Sequence, residues 1–251
     1  MTHPSFKTTP QTMTDVRNDR RRAPLHGQLL IDAFSIACEH HGATDVQCHP
    51  MPGGRDILVQ AAWPAPTGLC ADVTCSIDLL CPASGGAPKA LGPSFTLQPT
   101  GLLYHRAIRS GAVHGDQLAN LIQGSAQSIL EVTAMLNDLT ATGISEEQTR
   151  KFLNNLFKQG FGLDVKQVVP TRLRNELIRL NSCFQQGFLN EGWNQLGMFA
   201  GMLRFTNLAM PCRGHRRAYL MAGKGHRLNT ICFDLLSAQT KALMQRSLMH
   251  T

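Results

Sequence analysis

Long hydrophobic runs are missing from this chain of 251 residues: no apolar stretch reaches the roughly 18 residues that a bilayer span requires. The start, MTHPSFKTTPQTMTDVRNDRRR, also lacks the apolar core of a secretory signal. A cytoplasmic protein with no membrane partner is the expectation. Charged residues are few at 16% and hydrophobic ones reach 43%, a balance that suits a folded chain rather than a disordered one. Paired cysteines are missing too. Cys38, Cys48, Cys70, Cys75, Cys81, Cys183, Cys212 and Cys232 show no repeated spacing and no CxxC, so reduced, mostly buried thiols are expected and no structural zinc. No GxSxG elbow occurs. Read onto MAGKGHR, the phosphate-loop pattern meets Ala218, three residues upstream, where it needs its first glycine, and Gly225 where it needs the hydroxyl that holds magnesium. Helix-turn-helix, basic-zipper and finger patterns do not occur either.

Acidic residues are the most unevenly distributed. Residues 1–125 hold nine basic and nine acidic residues, whereas 150–251 hold fifteen basic residues and only Asp164, Glu176, Glu191 and Asp234. No acid occurs between Glu191 and Asp234. Such segregation makes a positive field that attracts polyanions. Its centre is CRGHRRAYLMAGKGHRLN, residues 212–229.

Periodicity gives the scaffold. LHGQLLIDAFSIACEHHG reads as a helix with Leu29, Leu30, Ala33, Phe34 and Ala37 inward and Gly42 as its stop. In ADVTCSIDLLC the period falls to two, with Val73, Cys75, Ile77 and Leu79 on a buried face and Asp72, Thr74, Ser76 and Asp78 on a solvent face. TDVQCH, RDILVQAAW and SFTLQPTGLLYHRAI are the other strand candidates. After Gly115 the pattern is helical. Asp116 is the expected cap of a long helix, and SEEQTRKFLNNLFKQG opens with a capping box and stops at Gly160. PTRLRNELIRLNSCFQQGF follows, then helical patterns around 193–210 and 227–249. The fold class is α+β: an N-terminal helix, a small antiparallel sheet of three or four strands, and a mainly helical C-terminal half. Residues 1–23 form a flexible basic arm and 24–251 one domain, sheet-rich over 24–110 and basic and helical over 111–251.

Candidate chemistry is then narrow. Asp72 with Asp78, and Glu146 with Glu147, read as a strand's solvent face and a helix's first turn, and His40, His41, His105 and His114 as capping or surface groups. Arginine and lysine beside glycine suit close approach to phosphates. The residues expected to bind nucleic acid are Arg172, Arg174, Arg204, Arg213, Arg216, Arg217, Tyr219, Lys224 and Arg227. Tyr219, Phe205 and Trp193 are the rings within or beside the acid-free stretch that could stack on unpaired bases. Arg216→Ala with Arg217→Ala is expected to weaken binding and leave thermal stability nearly unchanged.

The order PSFTLQPTGLLYHRAIRSGAVHGDQLANLIQGSAQSILEV, GWNQLGMFAGML, RGHRRAYLMAGKGHRLNTICFDLLSA resembles the phage- and plasmid-borne family called domain of unknown function 932. Thr100, Gly101 and Leu102 sit at its turn, His114 before its long helix, Trp193 in its tryptophan helix, and Arg216, Arg217, Leu228 and Asn229 in its terminal Arg-rich loop. The likeness spans about residues 44–240 and departs at PASGGAPK, where the family has S-H-D-G. It implies a mobile-element context. A helix, a sheet and then a long helix is also similar to single-strand annealing recombinases of the Rad52 type. With the basic half, these likenesses imply a homo-oligomeric, cofactor-independent protein, not an enzyme, that binds and anneals single-stranded DNA or assists recombination. The alternatives are a protein-interaction module, such as an inhibitor of a host enzyme, and an unrecognised enzyme.

Overall fold

The structure is a computed structural model that describes residues 24–25, 27–68, 72–163, 170–212 and 214–249. The basic arm, Cys70 and Arg213 lie outside the described residues, as does the side chain of Arg172.

The described chain opens with β1 (Pro24–Leu25) and α1 (Gly27–His40), followed by β2 (Asp45–Pro50), β3 (Asp56–Trp63), β4 (Val73–Pro82), β5 (Ala90–Leu97), β6 (Leu102–His105) and β7 (Val113–His114). Five of these strands form one antiparallel sheet in the order β2-β3-β4-β5-β6, and β1 pairs with β7. The sheet is thus larger than expected. SFTLQPTGLLYHRAI, read as one segment, folds back at Gln98–Gly101 into two strands, and Gly101 supplies the positive φ of 66° that the turn demands.

Register places Val59, Ala61, Cys75, Ile77, Leu79, Phe95 and Tyr104 on one face, and all of them are buried. Helix α1 covers this face with Leu30, Ile31, Phe34 and Cys38. Leu29, expected inward, is 61% exposed, because the apolar arc is centred on Leu30, Phe34 and Cys38, and Leu29 lies off its edge. Helix α2 (Gly115–Ala141) adds Leu118, Ile122, Ile129, Val132, Leu136 and Leu139 to the same core. Each such burial contributes roughly 1.5–3 kcal/mol. His114, not Asp116, is the N-cap residue of α2, and its side chain makes no capping bond.

The helical half contains α3 (Glu146–Phe161), α4 (Thr171–Glu191), α5 (Gln195–Arg204), a π-helical turn (Phe205–Ala209), α6 (Arg216–Ala222) and α7 (Lys224–Met249). The capping box of α3 is present: the Gln148 amide N–H donates to Ser145 Oγ at 3.2 Å, and the Ser145 amide N–H donates to Gln148 Oε1 at 2.7 Å. Its stop is Gly162, at φ 66°, rather than Gly160. Gly160 stays helical as a packing glycine, since a Cβ there would stand 2.9 Å from Leu228 Cδ2. Tyr104 ties sheet to helices, with ring centroids 5.2 Å from Phe199 of α5 and 5.1 Å from Phe233 of α7.

Candidate nucleic-acid interface

Asp72 and Thr74 are exposed as expected, but the rest of the polar face of β4 does not meet solvent. Asp78 is fully buried and Ser76 is 6% exposed, because α6 crosses this side of the sheet. Arg217 Nη2 donates to Asp78 Oδ2 at 2.7 Å, Ser76 Oγ donates to Oδ1 at 2.8 Å, and Ser94 Oγ donates to Oδ2 at 2.6 Å. With the Ser94 proton engaged there, His105 Nδ1–H donates to Ser94 Oγ at 2.9 Å. His226 Nδ1 in turn lies 3.0 Å from the His105 carbonyl oxygen as its donor. The group therefore fastens α6 and the start of α7 to the sheet. Asp, Ser and His occur together without the logic of a catalytic triad: the serine stands between the other two, and all three are buried, so this cluster presents no nucleophile.

Burial holds His105 neutral, with its pKa pushed down to about 3 from 6.5, and burial also lowers that of His226. As pH falls below the unfolded value, the unfolded chain takes up the proton first. The stability that neutral His105 contributes is therefore complete above about pH 6.5 and lost progressively toward pH 3. At about 1.36 kcal/mol per unit, moving from pH 7 to pH 5 should cost about 2 kcal/mol, read from urea unfolding, and His105→Gln should flatten the slope. Equal stability of the wild-type protein at the two pH values would contradict this assignment.

Arg216 also faces inward. Its Nη1 donates to the carbonyl oxygens of Thr206 at 3.1 Å and Met210 at 2.7 Å, and its guanidinium lies 5.7 Å from the Tyr219 ring centre. Tyr219 is half-buried, donates to Met210 Sδ at 2.7 Å, and has its pKa pushed up to about 12, chiefly by burial. The segment around these residues is helix α6 rather than an Arg-rich loop. His215 starts it by accepting the Arg217 amide N–H at 3.2 Å, and Gly223 separates it from α7. These bonds run against the expectation that Arg216 and Arg217 can be removed without loss of stability, since their removal would strand the groups they hold.

Other basic residues point outward around the corner where α6 meets α7. Lys224 Nζ lies 3.7 Å from Glu176 Oε2 of α4 and 5.8 Å from the Phe161 ring centre of α3. Arg227 Nη2 donates to the Gln159 carbonyl oxygen at 3.3 Å, beside exposed Lys158. Exposed Arg179 stands one helical turn beyond Glu176 on the same face of α4. Arg179, Lys224 and Arg227 thus stand on elements that meet at Glu176, and Lys158 is exposed on the last turn of α3. Arg174 is exposed about 200° around α4 from Glu176. Half-buried Arg204 closes α5 next to Phe205, whose ring is 6.4 Å from Phe161. Lys158 and Arg179 were not singled out as binding residues from sequence. Their signal is their place one turn from residues that touch α7.

On the sheet side of the same corner, the Met51–Arg55 turn, Lys89 and residues 214–223 line a cleft of about 580 Å³. Lys89 pairs with Asp56 at 2.6 Å, and Arg55 is exposed. Among the described residues the remaining ion pair is Arg150–Glu146, and no three His, Cys, Asp or Glu side chains are placed to share a metal ion. Cys38, Cys75, Cys81, Cys183 and Cys232 are buried free thiols, while Cys48 is exposed. No described helix is long and apolar enough to cross a membrane.

No family model, no curated protein and no solved structure matches the chain, so its own residues carry the functional reading.

Proposed function

We propose that this protein holds the phosphate backbone of single-stranded DNA on the α6–α7 corner, and that it acts without a cofactor as a strand-binding or annealing accessory. The observation that carries the reading is that Arg179, Lys224 and Arg227 face outward on elements that meet at Glu176, with Lys158 exposed on the last turn of α3, and that these elements share a core. Cations placed so closely repel one another unless a polyanion neutralises them, and neutralising phosphates releases counterions. The inner arginines support this surface indirectly. Arg217 and Arg216 fix α6, and α6 fixes the start of α7, from which Lys224 and Arg227 project.

Capture of a labelled single-stranded oligonucleotide by the purified protein, with no nucleotide or metal added, tests the reading. Binding at low salt that weakens steeply as salt rises, together with faster pairing of complementary strands, is the expected outcome. A protein that leaves the labelled strand free at low salt contradicts it.

A further inference from the structure

Helix α4 leads away from the basic corner with a second kind of surface. Arg174, Ile178, Asn181, Gln185 and Leu189 recur at intervals of four, three, four and four residues, and all are exposed. Ile178 is 62% and Leu189 75% exposed. The row is about 22 Å long at 1.5 Å per residue and ends beside Trp193, which is 64% exposed. There the chain forms a groove of about 570 Å³ whose lining includes Phe184, Phe188 and Trp193 with the amides of Asn181 and Gln185, and contains no charged side chain. The indole is held in place: its Nε1–H donates to the Ile144 carbonyl oxygen at 2.9 Å, and its ring stacks on Phe188 with centroids 4.2 Å apart.

We infer that this groove takes an unpaired nucleobase of the strand whose backbone lies on the basic corner, with Trp193 as the stacking platform. The inference rests on the reading given above. A fixed, exposed indole backed by half-buried Phe188 offers a flat apolar surface at little entropic cost, and the uncharged lining favours a neutral planar group. Two amides one turn apart can each donate and accept, as the edge of a base requires. Arg174 heads the same row in the first turn of α4, at the same end of the helix as Glu176 but across it, so a strand passing over that end meets one further cation before the groove, and a positive track joined to an aromatic platform is how single strands are held without sequence preference.

Oligothymidylate and an abasic strand of equal length and charge separate the two claims. Oligothymidylate should quench Trp193 fluorescence saturably and bind about 10-fold more tightly than the abasic strand, while both show the same salt dependence. Trp193→Ala should bring oligothymidylate down to the abasic affinity with the salt slope unchanged. Trp193→Phe should keep most of the preference, which guards against reading a folding defect as a lost contact. If both strands bind with equal affinity and a normal salt slope, or if a folded Trp193→Ala protein keeps its preference, the platform is refuted and the backbone reading stands. If neither strand binds at low salt, both fail.

Discussion

Arg217→Ala is expected to destabilise the protein by about 3–5 kcal/mol, because it strips a buried carboxylate of its counter-ion. Asp78 is fully buried and two serine hydroxyls already donate to it, so its charge is left poorly compensated once the guanidinium is gone. For a chain of this size about 2–4 °C of melting temperature is lost per kcal/mol, which makes the effect easy to see in a thermal scan. The double variant Arg217→Ala with Asp78→Ala should recover part of the loss, since it removes the stranded charge along with its partner. A single variant that melts with the wild-type protein would mean that α6 is not anchored through this pair. The result also bears on function: a simple alanine scan of the most basic segment would confuse loss of fold with loss of ligand.

Gly187→Ala should cost about 3 kcal/mol, by overpacking rather than by loss of a partner. A methyl group at Gly187 would overlap the Gly197 carbonyl oxygen and stand 2.6 Å from the Gly201 amide nitrogen, and one at Gly201 would stand 2.6 Å from Phe184 Cα. These glycines let α4 and α5 approach backbone to backbone, and the Trp193 groove, lined by α3 and α4 with Met198 of α5, sits beside that crossing. Gly124→Ala is the control. It lies inside α2 with nothing within 4 Å of the added methyl, so it should be neutral or stabilising by up to about 1 kcal/mol. Equal melting temperatures for Gly187→Ala and Gly124→Ala would contradict the close-packed crossing.

Much of the scaffold was legible because local chemistry and tertiary structure agree. The Ser145 and Gln148 pair announces α3, the alternation from Val73 to Leu79 announces β4, and the Leu118 to Leu139 stripe announces α2. What escaped is non-local. Alternation in β4 separates two faces but cannot say that a helix covers the polar one, and the partner of Asp78 lies 139 residues away. Helix α6 has only seven residues and a histidine at its N-cap, too little periodicity to register as a helix. Asn207 gave no signal either. Its side chain exchanges two hydrogen bonds with the backbone of Leu103, each 3.0 Å, and so occupies the outer edge of β6 where another strand could pair. Counting charges orders the basic residues along the chain, while the division between bracing and outward-facing arginines exists only in three dimensions.

The division of labour among the cations is tested most directly by a salt titration of single-strand binding with Lys158→Gln combined with Arg179→Gln. Both side chains are exposed and neither has a carboxylate partner among the described residues, so stability should stay within about 0.5 kcal/mol of wild type. Affinity should fall for every sequence, and the slope of log K against log salt should become shallower by about one for each phosphate contact removed. A double variant that binds with wild-type affinity and slope would contradict the account, because the outward cations would then be a solvated face and the strand would have no surface on which to lie.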